Sequence, residues 1–271
     1  PMVYQAITDD LISIGPPYFN AIFVPLMVIL VIALGFGPMT RWKRTSTEYL
    51  IGQVKKVLVA SLFIGIVLPL MVLMEFSFAA SVCVGLACWI VFTTAKDVSN
   101  KTANKPSIMA GLSSLSLSYF GMIIAHSGIA VMLIGVGITT FFSSERSVLL
   151  GPDERVELGS YSFRFNGHEE IRGPNYIGDR ASISVMKGGS DLGDLFPERR
   201  IYLATGTPST EMAIDAGFLR DLFITLGEEK EGGFWSMTIY VKPFVRWIWL
   251  GAILMALGGA IAAGDKRYRL L

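Results

Sequence analysis

Charge is scarce in this chain. Only 17% of its 271 residues are Asp, Glu, Lys or Arg, while 52% are hydrophobic. Soluble domains carry about 25% charged residues. That shortage excludes an ordinary water-soluble protein. Cysteine is nearly absent too. Cys83 and Cys88 are the only two, and both fall in one apolar run. Their C-x4-C spacing is neither a zinc pattern nor a redox CxxC. They read as small packing residues, because positions five apart on a helix face different ways. Residues 1–18 hold no Lys or Arg, so they lack the positive start of a signal peptide. Pro1 is not an initiator residue, and the expectation is a processed chain or a piece of a longer one.

What fills the chain instead is long apolar runs. Five reach the length a helix needs to cross about 30 Å of hydrocarbon: Phe19–Gly37, Val57–Met74, Phe76–Ala95, Leu117–Phe142 and Phe244–Ala263. None holds an acidic residue, and the only basic one is Arg246 near the start of the last run, where its head can snorkel to the interface. Pro25 and Pro69 lie inside runs. In lipid they imply kinks relieved by neighbouring helices. The sequence therefore predicts a polytopic α-helical membrane protein with about five transmembrane helices.

Lys and Arg set the orientation. Arg41, Lys43, Arg44, Lys55, Lys56, Lys96, Lys101, Lys105, Lys266, Arg267 and Arg269 fall in segments that five crossings place on one side. The opposite short segments, 1–18 and 74–77, hold none, and carry Asp9, Asp10 and Glu75. The basic side is read as cytoplasmic. Residues 1–18 and the stretch 143–243 then lie on the other face.

That stretch lacks any helical pattern. It holds 16 acidic and 11 basic residues. Alternating runs at 160–165, 181–185, 200–203, 221–226 and 235–241 predict strands. Gly151-Pro152-Asp153, Asn166-Gly167, Gly173-Pro174-Asn175, Gly188-Gly189, Gly206 and Gly232-Gly233 read as turns. The expectation is one all-β domain, a small antiparallel sandwich or partly open barrel. Three segments follow: 1–142 with four spans, 143–243 as the β domain, and 244–271 as the last span and a cytoplasmic tail. Trp235, Tyr240, Trp247 and Trp249 are expected to form an interfacial aromatic belt.

Two histidines complete the candidates. His168, beside Asn166-Gly167, reads as a solvated turn residue. His126 lies about a third of the way into the fourth span. An ionisable group at that depth marks a functional site by default. The alternative is an imidazole hydrogen-bonded between helices. Gly121, Ala125, Gly128, Gly135 and Gly137 surround it. Such small residues allow either close helix packing or room for a flat ring system. Imidazole is a good axial ligand for haem iron, and one histidine supplies one ligand.

Several stretches match a known family. They are Gly15-Pro16-Pro17-Tyr18-Phe19-Asn20, Tyr119 to Gly128 with its Gly-Met-x-x-Ala-His-x-Gly core, and Gly173-Pro174-Asn175-Tyr176. Phe196-Pro197-Glu198-Arg199-Arg200-x-Tyr202, Asp221-Leu222-Phe223-Ile224, Pro243 to Trp249 and Met255 to Gly259 complete the set. With these, in order, the chain resembles the C-terminal half of the CcmF family, the haem lyases of system I cytochrome c biogenesis. The resemblance implies a bacterial inner-membrane protein with its β domain in the periplasm. It implies that His126 is one of two transmembrane histidines holding a b-type haem (haem b). The family's tryptophan-rich periplasmic motif and its periplasmic haem-handling histidines have no match here, and neither does the other transmembrane ligand.

The implied role is part of a lyase that attaches haem to CxxCH sites of apocytochrome c, inactive without an N-terminal portion. Implied partners are apocytochrome c, that N-terminal portion, a haem chaperone, and the thiol-reducing and apocytochrome-binding subunits of the maturation machinery. No nucleic-acid partner is expected. The competing readings are a fragment of a membrane transporter and a membrane-anchored sensor or scaffold without haem. The absence of an acidic residue in any span and of an inverted repeat weighs against a transporter.

Overall fold

The computed structural model describes residues 15–40, 45–74 and 76–265. The sequence expectations at Asp9, Asp10, Arg41, Lys43, Arg44, Glu75, Lys266, Arg267 and Arg269 lie outside the described residues. The chain divides into two units, residues 1–134 with 250–271, and residues 135–249.

Serines start the helices. Helix α1 spans Pro16–Phe36, with Pro at its first turn where the missing N–H costs nothing. A 3-10 turn, Gly37–Met39, follows. In α2, Thr47–Leu73, the Tyr49 N–H donates to the Ser46 hydroxyl. In α3, Phe78–Thr102, the Ala80 N–H donates to Ser77. A short helix α4, Ile108–Ser113, is capped in the same way by Ser107. Helix α5 spans Leu117–Phe142 and α6 spans Val245–Ala263. Each serine satisfies a backbone donor that the first turn leaves orphaned. Pro25 and Pro69 sit inside continuous helices.

Among the described residues five helices are long and apolar enough to cross a membrane: Pro17–Met39, Thr47–Val72, Phe78–Thr102, Leu117–Phe142 and Val245–Ala263. They match the five expected runs. The third is longer than its apolar run and carries Asp97 within the helix. The expectation of spans without acidic residues is corrected there. It failed because hydropathy ends at Ala95 while backbone hydrogen bonding continues to Thr102. Cys83 and Cys88 are free thiols on α3, as their spacing implied.

The helices pack through glycine and small residues. A Cβ on Gly65 of α2 would meet the Gly85 Cα of α3 at 2.7 Å. Trp89 of α3 lies over Gly35 of α1, and its indole N–H donates to the Ile32 carbonyl at 3.2 Å. Without a hydrophobic drive between helices in lipid, close backbone approach and interhelical hydrogen bonds supply the association.

Residues 144–243 form a β-sandwich. Strands β1 (Ser144–Leu150), β10 (Phe234–Pro243), β9 (Arg220–Lys230) and β8 (Ala213–Ala216) make one sheet, in the order β1-β10-β9-β8. The other runs β2-β3-β4-β6-β7, from β2 (Arg155–Leu158), β3 (Tyr161–Arg172), β4 (Tyr176–Lys187), β6 (Glu198–Tyr202) and β7 (Pro208–Glu211). Strand β5 (Ser190–Leu195) pairs with β4 alongside β6. All neighbours are antiparallel. Alternate residues meet in the core: Tyr161, Phe163 and Phe165 on β3, Ala181, Ile183 and Val185 on β4, Leu222, Ile224 and Leu226 on β9. This is the half-buried alternation that the sequence shows.

Two local expectations fail. Asn166-Gly167 is not a turn. It is a β-bulge in the middle of β3, where the register shifts between Phe165 and Gly167 and Gly167 has φ +127°. Glycine suits a bulge as well as a turn, because both demand a backbone that Cβ forbids. Trp235 is not part of an interfacial belt. It is 2% exposed and sits in the sandwich core with Met237 and Ile239.

Candidate functional site

His126 sits on α5, 9% exposed. Tyr119, Met122 and His126 are spaced by three and four residues and share one helix face. The imidazole Nδ1 lies 2.9 Å from the Met122 carbonyl oxygen, one turn back on the same helix. The Nε2 lies 3.4 Å from the Leu34 carbonyl oxygen of α1. A neutral imidazole has one N–H. Both nitrogens face carbonyl acceptors, so a single N–H cannot satisfy both, and the Nδ1 contact is the shorter. At 3.4 Å the Nε2 contact is the weaker of the two.

The glycines around it have a different task. A Cβ on Gly121 would meet the Gly258 carbonyl oxygen of α6 at 2.4 Å, and one on Gly128 would meet the Gly251 oxygen at 2.7 Å. Gly251 and Gly258 are equally close in return, against Gly128 and Gly121. The seam is a small-residue helix contact. Of the two readings the sequence left open, these glycines serve packing and not room for a ring. His126 points from another face of α5, toward α1.

A polar group missed by sequence reading lies further down that face. The Tyr119 hydroxyl donates to Asp97 Oδ2 at 2.6 Å, and Lys101 Nζ reaches the same oxygen at 2.8 Å. Lys101 also stands 3.9 Å from the Tyr119 ring centroid. Asp97 is buried and thus compensated by one cation and one hydroxyl. The i, i+4 spacing of Asp97 and Lys101 is the one signal the sequence carries for this group, and it reads as a helix pair only once α3 is known to run to Thr102; the Tyr119 contact, 22 positions away, leaves none. Asp265, also buried, accepts from the Ser118 N–H at 2.9 Å and caps α5.

In the sandwich, His168 is a mid-strand residue of β3 and not a turn residue, though it is solvated as expected. Its ring packs against Trp235, centroids 4.8 Å apart. Burial lifts the nearby Asp179 carboxyl above the usual range; His168 pulls it down, and Glu170 and Glu229 push it up. On the other face of the sheet Glu198 accepts from Arg180 and from Arg200 at 2.7 Å each. Burial by itself would raise the Glu198 carboxyl, but the two guanidinium groups outweigh it and hold it below the ordinary value.

Among the described residues no three His, Cys, Asp or Glu side chains are grouped to hold a metal ion. A bare ion would find one imidazole at His126, too few ligands to hold it. A haem brings four ring nitrogens of its own and asks the protein for axial ligands only. The donor chemistry at His126 fits that demand: Nδ1 has a close carbonyl partner that can orient the ring, and Nε2 has only a long contact to give up.

Comparison with known proteins agrees along the chain. Residues 141–243 match the CcmF C-terminal beta-sandwich family. The cytochrome c-type biogenesis protein CcmF of Pseudomonas aeruginosa is 43% identical over 270 residues, covering 100% of this chain and 41% of that protein. Its counterpart from Escherichia coli is 36% identical over 271 residues, covering 99% of this chain and 40% of that protein. A solved structure, Cytochrome c Heme Lyase CcmF, superposes with a TM-score of 0.74 at 20% identity over 93% of this chain and 41% of its own. At that identity it shows the fold. The chain thus spans about two fifths of the length of these relatives. With five apolar helices followed through to a matched sandwich, this is a multi-pass membrane protein, and the chain belongs to the CcmF family as a C-terminal portion of it.

Proposed function

We propose that this chain is the C-terminal part of a cytochrome c maturation haem lyase, and that His126 gives one axial ligand to a b-type haem. The observation that carries the reading is the imidazole itself. Its Nδ1 lies 2.9 Å from the Met122 oxygen, whereas its Nε2 makes only a long 3.4 Å contact with the Leu34 oxygen. The Met122 carbonyl holds the tautomer and the ring orientation, a role that second partners of metal-bound histidines commonly play. The haem, when bound, supplies the electron chemistry that the protein's side chains cannot. The Leu34 carbonyl now faces Nε2, so α1 is the element that must yield for iron to bind there.

In this reading the second ligand and the groups that handle cargo haem lie in the rest of the protein. The product is haem joined to the CxxCH cysteines of apocytochrome c, made with a haem chaperone and the thiol-reducing and apocytochrome-binding subunits. The basic segments face the cytoplasm of a bacterial cell, segment 143–243 lies in the periplasm, and the tail from α6 is cytoplasmic. A transporter would need an acid free for ion coupling, whereas Asp97 is held by Lys101 and Tyr119.

The test is haem content by pyridine haemochrome in the full-length protein. His126→Ala should lose most of its b-type haem while still inserting, since alanine suits an apolar helix. Added imidazole should restore part of it by filling the vacated ligand position. His168→Ala should keep its haem. Full retention in His126→Ala would return this residue to the class of interhelical hydrogen bonders.

A further inference from the structure

One end of the sandwich is where the chain arrives from α5 and leaves into α6. Strand β1 starts there at Ser144 and β10 ends there at Pro243. Three turns share that end. The Tyr161 and Lys187 pairing brings the β2–β3 and β4–β5 turns together, and the Arg220 Nε–H donates to the Tyr161 hydroxyl at 3.2 Å, which brings in the β8–β9 turn. The first two turns are built of Gly159, Ser160, Gly188 and Gly189. The third is different: its tip is Phe218 and Leu219, 62% and 56% exposed. Turn chemistry calls for Gly, Asn, Asp, Ser or Pro, so two adjacent large apolar residues at a tip have another reason to be there.

The tip is rigid and its height is fixed. The Gly217 N–H donates to the Arg220 carbonyl at 2.9 Å and to Asp221 Oδ1 at 3.0 Å, closing the hairpin. A Cβ on Gly217 would stand 2.8 Å from that carbonyl. The Phe244 N–H donates to the Leu219 carbonyl at 3.0 Å. Phe244, at φ +59°, turns β10 into α6 with no linker. The Phe218 ring lies 5.7 Å from that of Trp247, which lies 4.7 Å from that of Phe244. Trp247 belongs to the first turn of a span. The hairpin tip is therefore level with the start of a membrane-crossing helix. Arg220 and Arg246, beside the tip, pair with Asp215 and Asp221; Lys187 and Lys242, at the same end, have long stems that let their heads reach the headgroups. The tip residues Phe218 and Leu219 themselves carry no charge into lipid.

We propose that the β8–β9 hairpin tip, Phe218 and Leu219, inserts into the headgroup–acyl boundary of the bilayer beside the first turn of α6, and so holds the sandwich against the membrane. The occupant of the apolar tip is lipid. Aromatic and aliphatic side chains at that depth are the usual membrane-interface anchors. The inference rests on α6 crossing a membrane and not on the haem reading.

The test uses the full-length protein with Cys83, Cys88 and any other cysteine replaced by alanine. Phe218→Cys is labelled with bimane and reconstituted into phosphatidylcholine–phosphatidylglycerol vesicles whose acyl chains are brominated near the headgroup. A label in the boundary should lose roughly twofold of its fluorescence relative to unbrominated vesicles, since bromine quenches on contact at that depth. The control is Ala204→Cys in the β6–β7 turn at the opposite end of the sandwich, which should be unaffected. Iodide in the buffer should quench position 204 and spare 218. Equal iodide quenching at both positions would overturn the proposal. So would protection of 218 from both quenchers, which would put a protein partner on the tip. Leu219→Cys repeats the measurement, so that a local disturbance by one label does not decide it.

Discussion

Phe163 in the sandwich has 0% of its surface exposed, while Phe63 in α2 has 65%. The difference runs through the molecule. In the sandwich the large apolar side chains meet between two sheets and the polar ones face out. In the spans most large apolar side chains face out; a small cluster around Trp89 and Ile90 is buried, and the closest backbone approaches between helices are at Gly65, Gly85, Gly121, Gly128, Gly251 and Gly258. One unit is built for water and the other for lipid. Where the surroundings are themselves apolar, burying a phenylalanine gains little, and close backbone approach becomes the useful contact. Polar groups invert in the same way. The sandwich displays most of its ion pairs at the surface and buries the acids Glu198 and Asp221 only with arginine partners, whereas the helical unit encloses Asp97 and His126 and gives each a specific partner.

The largest effect should come from the sandwich core. Phe163→Ala should cost about 3–5 kcal/mol, because the cavity adds to the lost transfer energy. Phe63→Ala should cost about 0.5 kcal/mol or less, as at a surface site. Thermal unfolding of both variants in lipid or mild detergent measures the contrast, and equal losses would break the comparison.

Next is the glycine seam. Gly258→Leu puts a side chain where a Cβ alone would sit 2.5 Å from the Gly121 oxygen. Overpacking of this kind costs about 1–3 kcal/mol. It should lower the unfolding temperature of the helices and leave the sandwich's β-type circular dichroism unchanged. Gly52→Leu, with nothing within 4 Å of its Cβ, is the matched control.

The Glu198 pair gives a pH signature confined to the sandwich. Its folded carboxyl lies below the ordinary value of 4.5. Its contribution is therefore fully present above about pH 4.5 and is lost as pH falls through the lowered folded value. Glu198→Gln should remove that part of the acid sensitivity. It should cost about 1–3 kcal/mol near neutrality, since Arg180 and Arg200 lose a charged partner. An unchanged pH profile would show that the pair is a surface feature only.

The smallest effect on stability, and the sharpest on orientation, is labelling. Single cysteines at Ser46 or Asn104 should be shielded from an impermeant reagent added to intact cells, and one at Ala204 should react. Labelling at Ser46 would reverse the assignment of the two faces.

The five spans and the sandwich strands were legible in the sequence for a local reason. Hydropathy runs and period-two alternation are properties of neighbouring residues, and both elements obey their solvent. Helix ends were less legible. Asp97 lies beyond the apolar run but within α3, because intrahelical hydrogen bonding does not stop where hydropathy does. His126 stood out by its cost in an apolar run, but its neighbours did not reveal which of two tasks they had. Gly121 and Gly128 could have flanked a ring or a helix, and only contact with Gly258 and Gly251, more than a hundred positions away, decided for the helix. Trp235 looked like an interfacial tryptophan because it precedes a span by a few residues. The fold of β10 onto β9 carried it into the core. Gly167 looked like a turn, since glycine answers any demand for positive φ and the sequence does not say which demand it is. Composition and periodicity alone determined two solvents, five spans and one sheet-rich domain. Which carbonyls the His126 nitrogens face, which residues close on Asp97 and which hairpin tip stands beside Trp247 were decided by tertiary structure, because each depends on groups that only the folded chain brings together.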